Sequence, residues 1–159
     1  MTVRFLEPAD LTAALELNQA LVPAVGTLDS TGLERLVEQS VVALASVLDG
    51  EFAGFCLVLS PGADYGSINY RWFGERYDDF VYLDRVAIDP AFHGRGLGRE
   101  LYEEVERRID AAWFTLEVNL RPRNDQSLAF HARLGFTEVG QQETGYGTLV
   151  SLMAKPLRP

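Results

Sequence analysis

The segment that most constrains this chain is a predicted strand followed by a glycine-rich turn and a helix. "FVYLDRVAID" (residues 80–89) is almost continuously apolar, which predicts a buried strand that ends at Pro90. The next predicted element is a helix, because apolar residues recur at every fourth position: Leu97, Leu101, Val105 and Ile109. Between them, "HGRGLG" (93–98) has glycine at alternate positions. Ordered glycine is entropically costly, so the stretch predicts a turn that only glycine can make, or one that a ligand approaches closely.

A strand, a glycine turn and a helix start together predict an anion-binding site, because free N–H groups and the helix dipole favour phosphate there. A P-loop is excluded, since Arg99 rather than Lys follows Gly98. A dinucleotide-binding fingerprint fits poorly, because it requires G-x-G-x-x-G and the glycines here run G-x-G-x-G. Glu117 does lie about 20 residues after the glycines, where that fingerprint has an acidic residue. A glycine turn without a ligand stays open.

The first half of the chain predicts a strand, two helices and a hairpin. "TVRFLE" (2–7) alternates as a strand does and ends at Pro8. A helix is predicted from residue 9 with Asp10 as its N-cap, and a shorter one in "DSTGLERLVEQS" (29–40). Two β runs flank Asp49-Gly50, a strong hairpin turn signal.

The remaining segments predict a mixed α and β class. Residues 61–79 predict a long loop, or a loop with a short helix. Beyond residue 112 the expected elements are a strand, a helix with Gly135 as its C-cap, and two final strands: 113–120, 127–136, 136–142 and 148–156.

Length and charge narrow the function classes. The 159 residues predict one domain, spanning 1–159. Residues 1–84 hold 13 acidic residues against 4 arginines, whereas residues 85–159 hold 10 acidic against 10 basic ones, for a net charge of −9. Such a chain is a poor nucleic-acid binder. The lone Cys56 predicts a buried thiol, not a disulfide or a Cys-based zinc site. No signal or membrane-spanning run is evident, so we expect a cytoplasmic protein with no membrane partner.

Two motifs resemble those of the GNAT family of acyl-CoA-dependent N-acetyltransferases. "VAIDPAFHGRGLGREL" resembles the family's [Q/R]-x-x-G-x-[G/A] signature, with His93, Gly96 and Gly98 at the matching positions. "TLEVNLRPRNDQSLAFHARLGF" resembles its second signature, in which Asn124 and His131 precede "LGF". The resemblance implies a central mixed, mostly antiparallel sheet of six to seven strands with about four flanking helices, in β-α-α-β-β-β-α-β-α-β-β order.

The resemblance also implies where acetyl-CoA binds. The turn would surround the pyrophosphate, the preceding strand would offer main-chain groups to the pantetheine and the thioester, and Asn124 would touch the cofactor or merely cap its helix. The implied cofactor-binding positions are Val86, Ala87, Ile88, His93, Gly94, Arg95, Gly96, Leu97, Gly98, Arg99 and Asn124. No metal is implied.

The catalytic positions follow from the same resemblance. Glu117 in "LEV" is the first choice for general base and Asp84 the second, although either is also a salt-bridge candidate for Arg85 or Arg121. His131 stands where the family usually has a tyrosine that protonates the leaving thiolate. An imidazole can serve there, and Tyr82 or Tyr102 are substitutes.

The implied function is acetyl transfer from acetyl-CoA to a primary amine by direct attack in a ternary complex. The acceptor is a small-molecule or peptide amine, and the acidic first half suits a cationic one. A homodimer is possible through the final strands. The alternative, favoured by the missing tyrosine, is a non-catalytic acyl-CoA-binding sensor or assembly module.

Overall fold

A computed structural model describes residues 2–23, 25–145 and 147–158. It is a mixed α/β fold with a mostly antiparallel seven-stranded sheet in the order β1-β2-β3-β4-β5-β7-β6, which confirms the predicted fold class. The strands are β1 Thr2–Phe5, β2 Val42–Leu48, β3 Glu51–Leu59, β4 Phe80–Ile88, β5 Trp113–Arg121, β6 Thr137–Gly145 and β7 Thr148–Pro156. The helices are α1 Leu11–Ala20, α2 Ser30–Gln39, α3 Ile68–Gly74, α4 Leu97–Arg108 and α5 Asp125–Arg133.

The chain forms two compact units that share β4. The first unit comprises residues up to Leu59 together with Leu83–Asp110, and the second comprises Ser60–Tyr82 with the residues from Ala111 onward. Strand β4 therefore contributes residues 80–82 to the second unit and 83–88 to the first.

In the first unit, the β2–β3 hairpin turns where it was predicted to turn. Asp49 and Gly50 both have positive φ angles, 52° and 77°, as a type I′ turn requires. Helix α2 lies within its predicted segment, and the Asp29 carboxylate caps it by accepting a hydrogen bond from the Gly32 amide. Fully buried apolar side chains from β2, β3 and α4 fill the core: Leu44, Phe55, Leu57, Leu101 and Val105.

Asp10 does not cap α1 as predicted. Its side chain makes no cap hydrogen bond, because both carboxylate oxygens accept hydrogen bonds from the Arg4 guanidinium, at 2.7 and 3.0 Å. The same carboxylate also accepts the Glu7 amide, which closes a 3₁₀ turn over Pro8–Asp10 ahead of the helix. This hydrogen bonding from Arg4 lowers the pKa of Asp10. The sequence pattern therefore identified Asp10 as the residue before α1, but it did not identify Arg4 as the partner of its carboxylate.

In the second unit, α3 is a helix beyond the four of the predicted order, and it accounts for the short helix expected within 61–79. It packs on β6 at Gly140, where an added Cβ would lie 2.5 Å from the Trp72 ring. Gln142 on β6 also donates a hydrogen bond to Asn69 on α3, at 2.9 Å. Glycine at position 140 therefore makes room for the Trp72 indole against the strand.

The sheet of the second unit is built on β5 and β7. Strand β4 pairs in parallel with β5 from Phe80↔Trp113 to Tyr82↔Thr115, and β7 pairs antiparallel with both β5 and β6. The β6–β7 register shifts twice, between Glu138 and Gly140 and between Glu143 and Gly145. Gly135 follows α5 with φ 99°, which confirms the predicted glycine end of that helix.

Two further predictions concern burial and membranes. Cys56 on β3 is fully buried, as expected, and burial raises the pKa of its thiol to about 12. Of the helices in the described ranges, none is long and apolar enough to cross a membrane.

Candidate functional site

The glycine-rich turn of the first unit has the backbone that its sequence predicts. Gly94 and Gly96 have φ angles of 80° and 76°, a left-handed conformation that side chains other than glycine rarely adopt. A Cβ added at either glycine would meet no atom within 4 Å, so both face open space. Gly96 is the N-cap of α4, and the first intrahelical bond runs from the Glu100 amide to the Gly96 carbonyl.

This turn carries donors for an anion. Because the first intrahelical N–H belongs to Glu100, the amides of Leu97, Gly98 and Arg99 have no acceptor within the helix. Leu97 anchors the turn by burying its side chain, while Arg95 and Arg99 are exposed. Arg99 is paired with Glu103 at 3.2 Å. Open glycine backbone, free amides and the positive end of a helix dipole fit a phosphate group, so the residues present suit the pyrophosphate of acetyl-CoA.

His93 connects the turn back to β4. Its Nε2 lies 3.2 Å from the carbonyl of Ile88, and because a carbonyl can only accept, Nε2 carries the proton. A 3₁₀ turn over Pro90–Phe92, capped by the Asp89 carboxylate on the Ala91 amide, links the two. The side chain of His93 therefore holds the turn, and a contact between its backbone and the cofactor stays a prediction.

The end of β4 lies close against β3. A Cβ at Gly54 would lie 2.6 Å from the carbonyl oxygen of Ala87, and the Asp89 amide donates to the Ala53 carbonyl at 2.8 Å. Ala87 is buried, whereas Val86 and Ile88 are half-buried. The end of the strand that would hold the pantetheine is thus packed on β3 by both its main chain and the Ile88 side chain.

Asp84, the second choice for general base, is engaged in an ion pair. Arg85 Nε lies 3.3 Å from its carboxylate, and the Asp84 side chain is only 4% exposed. The salt-bridge alternative raised by the sequence is therefore the interaction that the structure contains.

Glu117, the first choice for base, lies on β5 of the second unit beside Tyr82. Tyr82 Oη is 2.6 and 2.8 Å from the two carboxylate oxygens, and the phenol is buried. The parallel register explains the contact, because Tyr82 pairs with Thr115, two residues before Glu117 and on the same face. The phenol proton thus holds the carboxylate in one orientation.

His131 is packed inside the second unit. Its Nδ1 lies 2.7 Å from the Ser127 carbonyl, one turn earlier in α5, so Nδ1 carries the proton. Its ring packs edge-on against Phe130 and Phe136, and desolvation lowers its pKa. Desolvation is the larger effect and favours the neutral imidazole over the imidazolium that would donate a proton most readily, whereas the hydrogen bond to the Ser127 carbonyl acts in the opposite direction.

Asn124 has the capping role that the sequence left open. Its side-chain oxygen accepts the Ser127 amide at 3.1 Å, and its own amide donates to the Asn119 carbonyl at 3.1 Å. A cofactor contact from its side-chain amide nitrogen stays a prediction.

Sequence reasoning missed two sets of contacts. The first is the pairing of Tyr82 with Glu117, since Tyr82 was expected only as a substitute proton donor. The second is a polar network in which Asn18, Gln19 and Arg85 hold the segment after α1. The adjacent polar pair "NQ" near the end of a mostly apolar helix was the available signal.

No three or more histidine, cysteine, aspartate or glutamate side chains of the described ranges form a group that could hold a metal ion.

The fold and the glycine turn define a class of protein. The sequence profile described as "Acetyltransferase (GNAT) family" matches residues 21–136, and the chain belongs to this family. The resemblance inferred from the two motifs is thereby confirmed.

Named relatives match parts of the chain. Over 61 residues it is 38% identical to N-alpha-acetyltransferase RimI of Mycobacterium tuberculosis, covering 38% of this chain and 37% of the relative. Over 71 residues it is 34% identical to the [ribosomal protein bS18]-alanine N-acetyltransferase of Salmonella typhimurium, covering 44% and 48%. The chain therefore spans less than half the length of these two curated relatives.

Solved structures match its whole length. The structure of yncA from Salmonella typhimurium, with its cofactor acetyl-CoA, superimposes with a TM-score of 0.74 at 24% identity, covering 100% of this chain and 95% of the other. At this identity the likeness shows the fold.

Proposed function

We propose that this chain is an acetyl-CoA-dependent N-acetyltransferase that acetylates a primary amine by direct transfer. The observation that carries the proposal is the turn at Gly94 and Gly96, whose open backbone and free helix amides suit a diphosphate in a chain of the GNAT family. The family match extends over parts of both units, which supports treating residues 1–159 as one acetyltransferase domain.

The first unit supplies the donor-binding groups in this proposal. The amides from Gly94 to Arg99 hold the diphosphate, and main-chain groups of Val86, Ala87 and Ile88 hold the pantetheine. Bound acetyl-CoA supplies an acetyl thioester, whose carbonyl is the electrophile. A main-chain N–H between Val86 and Ile88 donates a hydrogen bond to the oxygen that gains negative charge as the amine attacks.

Glu117 is the proposed general base. An amine enters as an ammonium and must lose a proton before its lone pair can attack. The Glu117 carboxylate accepts that proton directly or through a water. Tyr82 keeps the carboxylate in one orientation, because its phenol donates a hydrogen bond to it. With Asp84 paired to Arg85, Glu117 is the stronger candidate.

The departing thiolate needs a hydrogen bond or a proton. His131 stays a prediction for this role. Its lowered pKa disfavours the role, because the neutral ring carries its one proton on Nδ1, where the Ser127 carbonyl accepts it. Transfer through an acetyl-cysteine is disfavoured too, because burial keeps the Cys56 thiol protonated, with a pKa of about 12.

We propose a protein or peptide N-terminus as the acceptor. The support is that two relatives carry the names N-alpha-acetyltransferase and ribosomal-protein-alanine N-acetyltransferase. A cytoplasmic location and a homodimer stay predictions.

The experiment measures thiol release from acetyl-CoA with a panel of peptides that differ at their first residue, alongside polyamines and amino acids. Glu117→Gln should lower kcat by about 100-fold, in the range for loss of one acid–base group, with unchanged acetyl-CoA affinity. Cys56→Ser should retain activity and serves as the matched control. Acetyl-CoA binding without acetylation of any amine would instead favour the acyl-CoA sensor, and no binding at all would overturn both functions.

A further inference from the structure

Arg85 on β4 makes a set of contacts that the proposed reaction does not use. Its side chain is only 10% exposed. Nη1 donates to the Asn18 side-chain oxygen and to the Gly26 carbonyl, both at 2.7 Å, and Nε lies 3.3 Å from Asp84. One guanidinium thus connects the strand to the end of α1 and to the segment that follows α1.

Two side chains of α1 hold the same segment from its other side. The fully buried Asn18 donates from Nδ2 to the Gly26 carbonyl and to Gln19 Oε1, both at 2.9 Å. Gln19 accepts the Leu28 amide at 3.0 Å and donates to Thr27 Oγ1 at 2.9 Å. Three consecutive residues, 26 to 28, are therefore each held by a side chain. We call residues 25–28 the clamped segment.

The clamped segment is itself open to solvent. Gly26 and Thr27 are exposed, and Val25 and Leu28 are half-buried. Burying a charged pair such as Asp84 and Arg85 is unfavourable unless its hydrogen bonds are satisfied, and apolar side chains usually serve stability equally well. The exposed turn at Asp49-Gly50, by contrast, takes its shape from the positive φ angles of these two residues. A nearly buried guanidinium that fixes an exposed segment suggests that the position of this segment serves function rather than stability.

The position of Arg85 in the chain suggests what the segment is for. Arg85 immediately precedes Val86, Ala87 and Ile88, which in the proposed function hold the thioester end of the donor. A reacting amine must approach that thioester to about 3–3.5 Å, so elements held against this part of β4 form the walls around the amine. Within the first unit, the clamped segment is held there directly, by a side chain of β4.

We propose that Arg85 is a positioning residue for the amine acceptor, and that it acts by fixing the clamped segment as a wall of the acceptor site. This inference rests on the proposed function. Arg85 itself touches neither reactant. A segment already fixed before binding loses less conformational entropy when the acceptor binds, so loosening it weakens acceptor binding rather than chemistry.

The test compares three variants in steady-state kinetics with the best acceptor found for the wild type. Arg85→Lys keeps the charge beside Asp84, but a single ammonium does not reproduce the guanidinium fork. Gln19→Ala loosens the clamped segment from α1 without changing β4. Arg107→Lys is the matched control, because Arg107 also binds a carboxylate, that of Glu104, but on the exposed face of α4.

Arg85→Lys and Gln19→Ala should each raise the acceptor KM about tenfold, with kcat and the acetyl-CoA Kd within about twofold of wild type. Amide hydrogen exchange at Leu28 should speed up about tenfold in both variants, while the urea midpoint stays close to the control. This readout is independent of activity, and it detects a variant that merely fails to fold.

Three results would overturn the inference. One is an unchanged acceptor KM despite faster exchange at Leu28, which reduces the network to a structural anchor. Another is a KM rise for Arg85→Lys without one for Gln19→Ala, which means that Arg85 does not act through the segment. The third is a wild-type protein that acetylates no amine. This result refutes the proposed function itself, and it is distinguished from the other two because it is seen without any variant.

Discussion

The charge of the ligand at the glycine turn can be tested at Gly96 with two variants of the same shape. Gly96→Asp and Gly96→Asn place nearly isosteric side chains at the N-cap of α4, where φ is 76° and a Cβ would meet no atom within 4 Å. Asp and Asn are the residues that best tolerate this conformation after glycine, and both are good N-caps. Folding stability should therefore change by no more than about 1–2 kcal/mol in either variant.

The two variants should differ strongly in cofactor binding. A carboxylate about 5 Å from one phosphate charge costs about 0.8 kcal/mol at the permittivity of water and about 3.3 kcal/mol at an effective value of 20. A diphosphate roughly doubles this cost, to about 2–7 kcal/mol. Gly96→Asp should weaken CoA binding by about 30-fold or more, since 1.4 kcal/mol is a factor of ten. Gly96→Asn carries no charge and should lose less than about tenfold.

Isothermal titration with CoA at two salt concentrations measures this difference. The screening length falls from about 30 Å at 0.01 M salt to about 3 Å at 1 M, so the gap between the variants should narrow markedly at high salt. Equal losses in both variants at low salt would show that steric exclusion, not a phosphate charge, explains the effect. Unchanged affinity in both would remove the turn from the binding site.

Three further predictions concern the fold. Gly140→Ala should lower the free energy of unfolding by about 1–3 kcal/mol, because the new Cβ would lie 2.5 Å from the Trp72 ring. Gly74→Ala is the control, since its new Cβ would meet no atom within 4 Å, and equal thermal midpoints for the two variants would contradict the packing argument. Burial lowers the pKa of His131, so the free energy of unfolding of the wild type should fall as the pH drops below the ordinary pKa of about 6.5. In denaturant titrations from pH 8 to 5, His131→Gln should lose less stability over this range than the wild type, and an identical pH dependence in both proteins would refute the prediction. Asp10→Asn should lower the free energy of unfolding by about 1 kcal/mol at pH 7, because it removes the ion pair with Arg4 on β1. The loss should be smaller at pH 3, where the wild-type carboxylate begins to protonate, and a loss that does not depend on pH would argue against the ion pair as its cause.

Local signals in the sequence were enough to place most of the elements. The four-residue spacing from Leu97 to Val105, the Asp49-Gly50 turn and the glycine after α5 each act within a few residues, and the structure has the expected element at each. The family signature likewise depends on local backbone, at Gly94 and Gly96.

The partners of polar side chains could not be predicted in the same way. Tyr82 meets Glu117 because of the parallel register of β4 and β5, which no local pattern fixes. Asp10 has the spacing of an N-cap, yet Arg4 on a neighbouring element competes for its carboxylate and wins. The buried state of His131 depends on Phe136 beyond the end of its helix. In each case tertiary contacts decide between roles that the sequence leaves equal.

The irregular register of β6 affects how this protein can associate. Strand β6 ends the sheet, and its two register shifts divide its alignment with β7 into short stretches, of which Gly140–Glu143 is the longest. Interrupted edges of this kind are poor templates for a further strand, so they resist β-augmentation and uncontrolled stacking of sheets. A homodimer through the final strands would therefore have to form by side-chain packing on a sheet face rather than by extension of the sheet from one subunit into the next.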